Sequence, residues 1–291
     1  MLSSSIFRPG LFEGKVFLVT GGGTGIGKAI ARELALLGAG VAICSRSSEH
    51  VENARAEIEA QGGRILALVC NIRHDEEVKA TVQAVLERLG RLDGLVNNAG
   101  GQFFYPAEKI TPKGWHAVVE TNLTGTFYMA QAAMHGWMRE HGGAIVNIAM
   151  DMWRGFPNFA HSGAARAAVV NLTQTLALEW AQYGIRVNAV APGIINSSGV
   201  DTYPDDIRAM IRGAALEIPA RRLGTESEVA SAAVFLLSPG AAFISGATLR
   251  VDGAGSLYRL LGYSIPEHEA WPAFNLTAWE DDEHQSCHPE R

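Results

Sequence analysis

Seven short apolar runs alternate along this chain with longer stretches in which apolar residues recur at helical spacing. Each run ends in a polar or glycine-rich turn. Continuously apolar strands separated by segments long enough for helices are typical of a parallel sheet covered on both faces. The sequence therefore predicts a single-domain α/β fold with a doubly wound parallel sheet of the Rossmann type. The predicted strands are Val16 to Thr20, Val41 to Cys44, Ile65 to Cys70, Gly94 to Val96, Ala144 to Ile148, Arg186 to Ala191 and Thr248 to Val251.

Composition narrows the class of protein and its surroundings. The 291 residues are 47% hydrophobic and 19% charged, and the net charge of −6 leaves no basic face for nucleic acid. No apolar run approaches the roughly 20 residues of a membrane-spanning helix. The three cysteines show neither CxxC nor zinc-ligand spacing, so we expect no metal and a reducing setting. The last three residues do not match a peroxisomal signal, and we expect the protein to be cytoplasmic.

Two regions are expected outside the regular alternation. Within a catalytic domain spanning 1–255, the variable segment 197–223 is predicted to form a substrate lid, and we call it the lid segment. The extension 256–291 is predicted to pack on or near the domain because it is rich in aromatic residues. These are Tyr258, Tyr263, Trp271, Phe274 and Trp279.

A glycine-rich turn from Thr20 to Gly27 follows the first predicted strand and opens a predicted helix. Glycines at such a turn let the backbone approach a pyrophosphate, and the helix N-terminus supplies favourable electrostatics. Glycine-rich turns also occur without ligands, so the turn by itself leaves the function open.

Further motifs in the right order resemble the short-chain dehydrogenase/reductase family over about residues 12 to 255. The turn has the spacing Thr-Gly-x-x-x-Gly-x-Gly, Asn-Asn-Ala-Gly follows the fourth strand at 97–100, Asn122 lies on the next helix, and Pro192-Gly193 follows the sixth strand. The resemblance implies a nicotinamide dinucleotide cofactor. The residues it implies as cofactor contacts are Gly21, Gly23, Thr24, Gly25, Ile26, Gly27, Ser45, Arg46, Asn71, Ile72, Asn98, Ala99, Gly100, Arg166, Pro192, Gly193 and Ile195.

The end of the second predicted strand bears on the choice of cofactor. An acidic side chain there would bind a ribose 2′-hydroxyl, whereas an arginine would bind a 2′-phosphate. The residues present are Ser45 and Arg46, which favours NADPH. The alternative is that Arg46 is only a solvated loop charge.

The catalytic positions of the family are altered in this chain. By the family's spacing, the usual serine, tyrosine and lysine are replaced by Ala149, Ser162 and Arg166, and only Asn122 matches. A serine hydroxyl donates a hydrogen bond but does not act as the general acid that a tyrosine near a lysine can be. Either the enzyme stabilises an oxygen without protonating it, or the chain is an inactive NADPH-binding module. A third possibility is a 3-oxoacyl or other carbonyl reductase with a non-standard acid.

The sequence around these positions resembles the trans-2-enoyl-CoA reductase and 2,4-dienoyl-CoA reductase branch of the family. The matching stretches are 101–103, 122–128 and 160–167. The resemblance implies NADPH-dependent hydride addition to the double bond of a 2-enoyl-CoA, an acyl-CoA-type substrate. In that reaction Ser162, supported by Arg166, would hold the oxyanion, and Arg166 would also grip the nicotinamide ribose. The alternative for Ser162 is a small helix residue without a catalytic role.

The proton donor is left open by the sequence. Asp151 is a candidate catalytic acid if burial raises its pKa, and a pairing with Arg154 or Arg166 is the alternative. Gln102, Trp153 and Tyr203 are predicted to contact substrate, and Tyr203 could also deliver a proton from the lid segment. His161 is expected to point away from Ser162 around the helix.

Two surface features suggest partners. The lid segment carries Arg208, Arg212, Arg221 and Arg222, which either meet coenzyme A phosphates or are solvated charges. The stretches 235–238 and 243–251 resemble the family's usual subunit-contact region. That resemblance implies a homotetramer.

Overall fold

The computed structural model describes residues 5–257 and 265–275 of the chain. Seven strands form one parallel sheet. The strands are β1 (Val16–Thr20), β2 (Gly40–Ser45), β3 (Arg64–Val69), β4 (Gly94–Asn97), β5 (Gly143–Ile148), β6 (Ile185–Pro192) and β9 (Thr248–Val251). Their order in the sheet is β3-β2-β1-β4-β5-β6-β9. The predicted doubly wound sheet and its seven strands are confirmed. No boundary differs by more than one residue, and Cys70 lies just outside β3.

Helices cover both faces of this sheet. The helices are α1 (Gly25–Leu36), α2 (Ser48–Glu59), α3 (Asp75–Leu89), α4 (Pro112–Val119), α5 (Gly125–Ala133), α6 (Arg139–His141), α7 (Ala160–Glu179), α8 (Asp205–Gly213) and α9 (Glu226–Leu237). On one face α1, α2 and α9 bury a cluster that includes Ile30, Leu34 and Val234. On the other face α3, α5 and α7 bury Val82, Met129 and Leu176. Because the sheet has apolar cover on both sides, all five residues of β1 are buried.

The strand order reverses between β1 and β4, which lie side by side at the centre of the sheet. In open α/β sheets, ligands bind at the carboxyl ends of the strands at such a reversal. The glycine-rich turn follows β1 and the Asn-Asn-Ala-Gly run spans the end of β4, so the fold brings the two motifs to this crevice.

A short parallel ladder joins the two ends of the lid segment. β7 (Ile195–Asn196) pairs with β8 (Gly224–Thr225) beside the main sheet. The lid segment, with α8 inside it, leaves the domain after β7 and returns before β8. No pattern in the sequence predicted this ladder.

The C-terminal extension contacts the base of the lid segment where the structure describes it. Arg222 donates to the carbonyl oxygens of Trp271 (2.8 Å) and Pro272 (3.1 Å), and Thr225 Oγ1 donates to the carbonyl of Phe274 at 2.7 Å. We call residues 265–275 the C-terminal strap. Tyr258, Tyr263, Trp279 and Cys287 lie outside the described residues.

Cys44 and Cys70 are buried free thiols. Among the described residues, no helix is long and apolar enough to cross a membrane.

Candidate active site

The ends of β1 and β4 are tied together by the hydroxyl of Thr20. Its Oγ1 accepts hydrogen bonds from the backbone N–H groups of Asn98 and Ala99, both at 3.0 Å, and donates to the carbonyl of Val96 at 3.3 Å. The Asn98 side chain donates to the carbonyls of Thr20 (3.1 Å) and Gly21 (3.2 Å). This network fixes the turn next to the crevice, and Asn98 therefore shapes the cofactor site that the sequence predicted.

The turn has the geometry that a dinucleotide pyrophosphate requires. Gly21 and Gly25 have φ values of +64° and +57°, which favour glycine, and a Cβ on Gly27 would overlap the carbonyl oxygen of Gly21. Thr24 makes no side-chain cap to α1, and the first turn of that helix holds no acidic residue. The first N–H groups of α1 are therefore available to a phosphate, and the residues present fit a dinucleotide.

The predicted 2′-phosphate and adenine residues lie at the carboxyl ends of β2 and β3, the strands next to β1 on that side of the sheet. Ser45 and Ser47 hydrogen-bond to each other, and Ser47 caps α2 by accepting from the N–H of His50 at 3.3 Å. Arg46 is exposed and makes no hydrogen bond or ion pair with the described residues. Next to β3, Asn71 Oδ1 accepts from the N–H of Arg73 at 3.3 Å, and Ile72 is buried.

Beyond β6, Gly193 packs closely on β9. Its N–H donates to the carbonyl of Val251 at 2.9 Å, and a Cβ there would lie 2.8 Å from Cα of Asp252. Pro192 ends β6, and Ile195 begins β7. These three predicted cofactor residues border the crevice at the start of the lid segment.

Asn122 lies in a π-helical turn, Glu120–Thr124, between α4 and α5. Such single turns recur at functional sites. The turn buries Asn122, whose Oδ1 accepts from the N–H of Gly101 and whose Nδ2 donates to its carbonyl, both at 2.9 Å. Asn122 thus holds the backbone of the loop that follows β4. The sequence predicted the residue but not the turn.

Arg166 reaches this asparagine from α7. Its Nη1 donates to the carbonyl of Ile148 at 2.5 Å, and its Nη2 lies 3.4 Å from Asn122 Oδ1. A Cβ on Gly100 would overlap Nη2, so a larger residue there would displace the guanidinium from this position. Burial lowers the pKa of Arg166 to about 10, which leaves a buried cation at neutral pH.

Ser162 lies one helical turn before Arg166, and its side chain is 1% exposed. Its Oγ donates to Gln102 Oε1 at 2.7 Å and lies 3.7 Å from the sulfur of Met150. Gln102 Nε2 in turn donates to the hydroxyl of Tyr203 at 3.3 Å. The structure therefore joins one catalytic candidate to two of the three predicted substrate residues.

Asp151 is placed differently. Burial and the nearby carboxylate of Asp252 raise its pKa, against the smaller opposing effects of the Trp153 N–H, Arg154 and Arg250. The raised pKa meets the condition for a catalytic acid, but these neighbours belong to its own loop and to the end of β9, not to the hydrogen bonds that run from Ser162 through Gln102 to Tyr203. Trp153 lies against the guanidinium of Arg250, 3.9 Å from the ring centroid.

Aromatic side chains lie around the hydrogen bonds that run from Ser162 through Gln102 to Tyr203. Phe159 packs edge-on against Phe104 (5.5 Å between centroids) and Tyr203 (6.4 Å). His161 is buried, its Nδ1 accepts from the N–H of Ser162, and its ring meets that of Phe103 at 4.3 Å. Burial lowers the pKa of His161, which favours the neutral imidazole.

Most of the lid arginines are occupied within the chain. Arg208 pairs with Asp205, Arg221 donates to the carbonyls of Leu216 and Ile265, and Arg222 forms a bidentate pair with Glu228. These three guanidinium groups are therefore committed to partners other than the predicted coenzyme A phosphates. Arg212 is exposed.

A buried polar chain beneath the site escaped the sequence analysis. Asn97 donates to Asn147 Oδ1, and Asn147 Nδ2 donates to Thr173 Oγ1, both at 2.9 Å. The chain crosses from β4 through β5 to α7, and therefore fixes the helix that carries Ser162. The sequence signal that could have indicated this chain is the pair of asparagines, Asn97 and Asn147, near the ends of two otherwise apolar strands.

Comparison with known proteins agrees with this geometry. A family model described as enoyl-(acyl carrier protein) reductase matches residues 21–255. A Bacillus subtilis (strain 168) protein named as a probable 2,4-dienoyl-CoA reductase is 41% identical over 245 residues, which cover 83% of this chain and 96% of that protein. A peroxisomal 2,4-dienoyl-CoA reductase of Danio rerio is 37% identical over 267 residues, covering 88% of each chain.

A solved structure gives the same result. The citronellol catabolism dehydrogenase of Pseudomonas aeruginosa PAO1 is 48% identical and superposes with a TM-score of 0.78, covering 87% of this chain and 99% of its own. The crevice, the glycine-rich turn and these relatives agree. The chain belongs to the short-chain dehydrogenase/reductase family and is an oxidoreductase of that family.

Proposed function

We propose that this protein is an NADPH-dependent reductase of 2-enoyl-CoA or related enoyl thioesters. The observation that carries the proposal is the placement of Ser162 and the cationic Arg166 beside Asn122 at the carboxyl end of β5, next to a crevice that fits a dinucleotide. Relatives named as 2,4-dienoyl-CoA reductases support the substrate class.

The chemistry requires an oxygen to be stabilised. A reduced nicotinamide bound in the crevice supplies the hydride for the β-carbon of the substrate. The negative charge then rests on the thioester oxygen, where hydrogen-bond donors suffice. Ser162 offers a hydroxyl as a hydrogen-bond donor. Arg166 offers a buried positive charge that stabilises a negative charge nearby.

Cofactor preference is proposed from Arg46. An exposed guanidinium that makes no ion pair with the described residues, next to the capped start of α2, suits a 2′-phosphate. Asn71 and Ile72 would border the adenine, and Arg166 would contact the nicotinamide ribose. The glycine-rich turn would hold the pyrophosphate.

We further propose a cytoplasmic homotetramer. The buried free thiols of Cys44 and Cys70 suit a reducing compartment. An exposed apolar patch at the β9 edge of the sheet supports self-association. It comprises Phe235, Phe243 and Leu249.

NADPH consumption with a panel of substrates tests the function. The panel is crotonyl-CoA, a longer trans-2-enoyl-CoA, a 2,4-dienoyl-CoA and an acetoacetyl thioester. We expect turnover of enoyl thioesters, whereas turnover of the oxo substrate alone would establish a carbonyl reductase. NADPH binding without any turnover would establish a binding module.

Replacing the serine tests its role directly. Ser162→Ala should lower kcat by about 10²- to 10³-fold, as the loss of one oxyanion donor does. Calorimetry should show unchanged NADPH affinity, because the hydroxyl contacts Gln102 and Met150 in this structure. An unchanged rate with enoyl-CoA would contradict the oxyanion role.

A further inference from the structure

The hydroxyl of Ser162 is closed off from solvent in the structure. Ser162 is 1% exposed, and its Oγ contacts the Gln102 amide and the Met150 sulfur. A substrate oxygen can reach this hydroxyl only after Gln102 has moved or rotated. Access to the oxyanion donor is therefore controlled by Gln102.

Gln102 also contacts the lid segment. Its Nε2 donates to the Tyr203 hydroxyl at 3.3 Å, and the Tyr203 ring packs edge-on against Phe159. Tyr203 follows a single 3-10 turn, Val200–Thr202, after the start of the lid segment. One side chain thus connects the lid to the serine.

The chemistry of an amide imposes an order on the two hydroxyls. An amide has one acceptor end and two donor hydrogens on the other end. In the orientation shown, Ser162 gives its proton to Gln102, and Tyr203 accepts, so the proton of Tyr203 is available to a substrate. A rotation of the amide by 180° reverses this and makes the Ser162 proton available. While Gln102 bonds to both hydroxyls, only one of them at a time offers its proton to a substrate, and once Gln102 has moved away from Ser162 both protons are available.

Other acids near the site are less well placed. The carboxyl of Asp151 interacts with Asp252, Trp153, Arg154 and Arg250, and His161 is buried against Phe103. Tyr203 is half-buried, and burial raises its pKa, so its hydroxyl stays protonated through neutral pH. It remains in reach of water for a new proton.

We propose that Tyr203 supplies the proton to the α-carbon of the substrate and that Gln102 is the positioning residue that links it to Ser162. This rests on the proposed enoyl-thioester reduction. After hydride reaches the β-carbon, the enolate oxygen is held by Ser162. The O–H bond of Tyr203 then breaks, a C–H bond forms at the α-carbon, and the enolate electrons restore the thioester carbonyl. The phenolate recovers a proton from water.

The link between lid and serine is tested without turnover, by limited proteolysis. Trypsin cleavage after Arg208 or Arg212 reports opening of the lid segment. Gln102→Met and Tyr203→Phe should each speed this cleavage about two- to tenfold, the range for loss of one hydrogen bond, and the double variant should be no faster than either. Tyr105→Phe is the matched control, because Tyr105 is an exposed aromatic residue of the same loop. Unchanged cleavage in both single variants would overturn the link.

Proton transfer is tested by steady-state kinetics with crotonyl-CoA. Tyr203→Phe should lower kcat by about 10²- to 10³-fold with little change in KM, and should increase the solvent deuterium isotope effect on kcat. Gln102→Met should lower kcat less, with the same change in isotope effect. A Tyr203→Phe enzyme with kcat within twofold of wild type would overturn the proton transfer. A wild type that reduces no enoyl thioester overturns the proposed function and the proton transfer together, while the cleavage rates decide the lid link separately.

Discussion

The proposed preference for NADPH depends on Arg46. It is exposed after β2, makes no ion pair with the described residues and adjoins Ser47, the cap of α2. Arg46→Ala should weaken NADPH binding about 10- to 100-fold, the range for one charge-assisted hydrogen-bonding partner, and leave NADH binding unchanged. Isothermal titration with both cofactors measures this. Equal affinities of the wild type for NADPH and NADH would contradict the 2′-phosphate role.

The raised pKa of Asp151 predicts how the stability of the protein depends on pH. Its folded-state pKa is raised above 3.8 by burial and by Asp252, so the wild type loses stability as pH rises from 3.8 through the folded pKa. Asp151→Asn removes this loss, and asparagine can still accept from the Trp153 N–H. Its Tm should exceed that of wild type at pH 7, and the gain should shrink as pH falls toward 3.8. A gain that is constant with pH would contradict the assignment.

Individual residues show what sequence can and cannot predict about the site. Ser162 and Arg166 are one helical turn apart, so their spacing predicts that both lie on the same face of α7. The bridge through Gln102 did not, because it depends on the path of the loop after β4 and on a lid residue 101 positions away. The π turn at Asn122 was equally inaccessible, since no residue pattern distinguishes it from the α-helix on either side.

Among the elements, α9 carries an unusual set of contacts at its N-terminus. Thr225 and Glu228 form a capping box, and Glu228 also pairs with Arg222 and accepts from the Phe274 N–H at 3.3 Å. The same carboxylate therefore starts the helix, holds the base of the lid segment and binds the C-terminal strap. No pattern predicted the strap contacts, because most of them are made by backbone carbonyls.

We call the contacts of Arg222 and Glu228 with the strap the junction. Breaking the junction should loosen the strap before the rest of the fold. Arg222→Met removes a half-buried pair and two bonds to strap carbonyls, and should destabilise the protein by about 1–3 kcal/mol. Hydrogen exchange of residues 265–275 should accelerate, while exchange in β1 and β5 follows global stability. Arg208→Met is the control: its pair with Asp205 is exposed and contributes little. Equal effects of the two substitutions would contradict a role for the junction.

The overall architecture of the molecule is determined by the burial of both faces of its sheet. Each interior strand has apolar residues facing both helical layers, so the strand pattern determined the predicted architecture. The lid segment and the strap lie outside these layers, and they were predicted as regions but not as contacts. The strap is held by hydrogen bonds to β8 and α9, and the lid segment buries a small apolar cluster of its own, Ala215, Ile218, Ala220 and Leu223. Neither set of contacts follows from the strand pattern.

The two edges of the sheet differ, and this difference predicts the assembly. At the β9 edge, Phe243 is fully exposed and Phe235 and Leu249 are more than one-third exposed, a patch that solvent does not favour. If this patch is the subunit contact, symmetry places each substitution twice in every interface. Phe243→Asp should shift the mass measured by light scattering from four chains to two or one. Val69→Asp, at the exposed end of β3 on the opposite edge, should leave it unchanged. A wild type with the mass of one chain would contradict the proposed homotetramer.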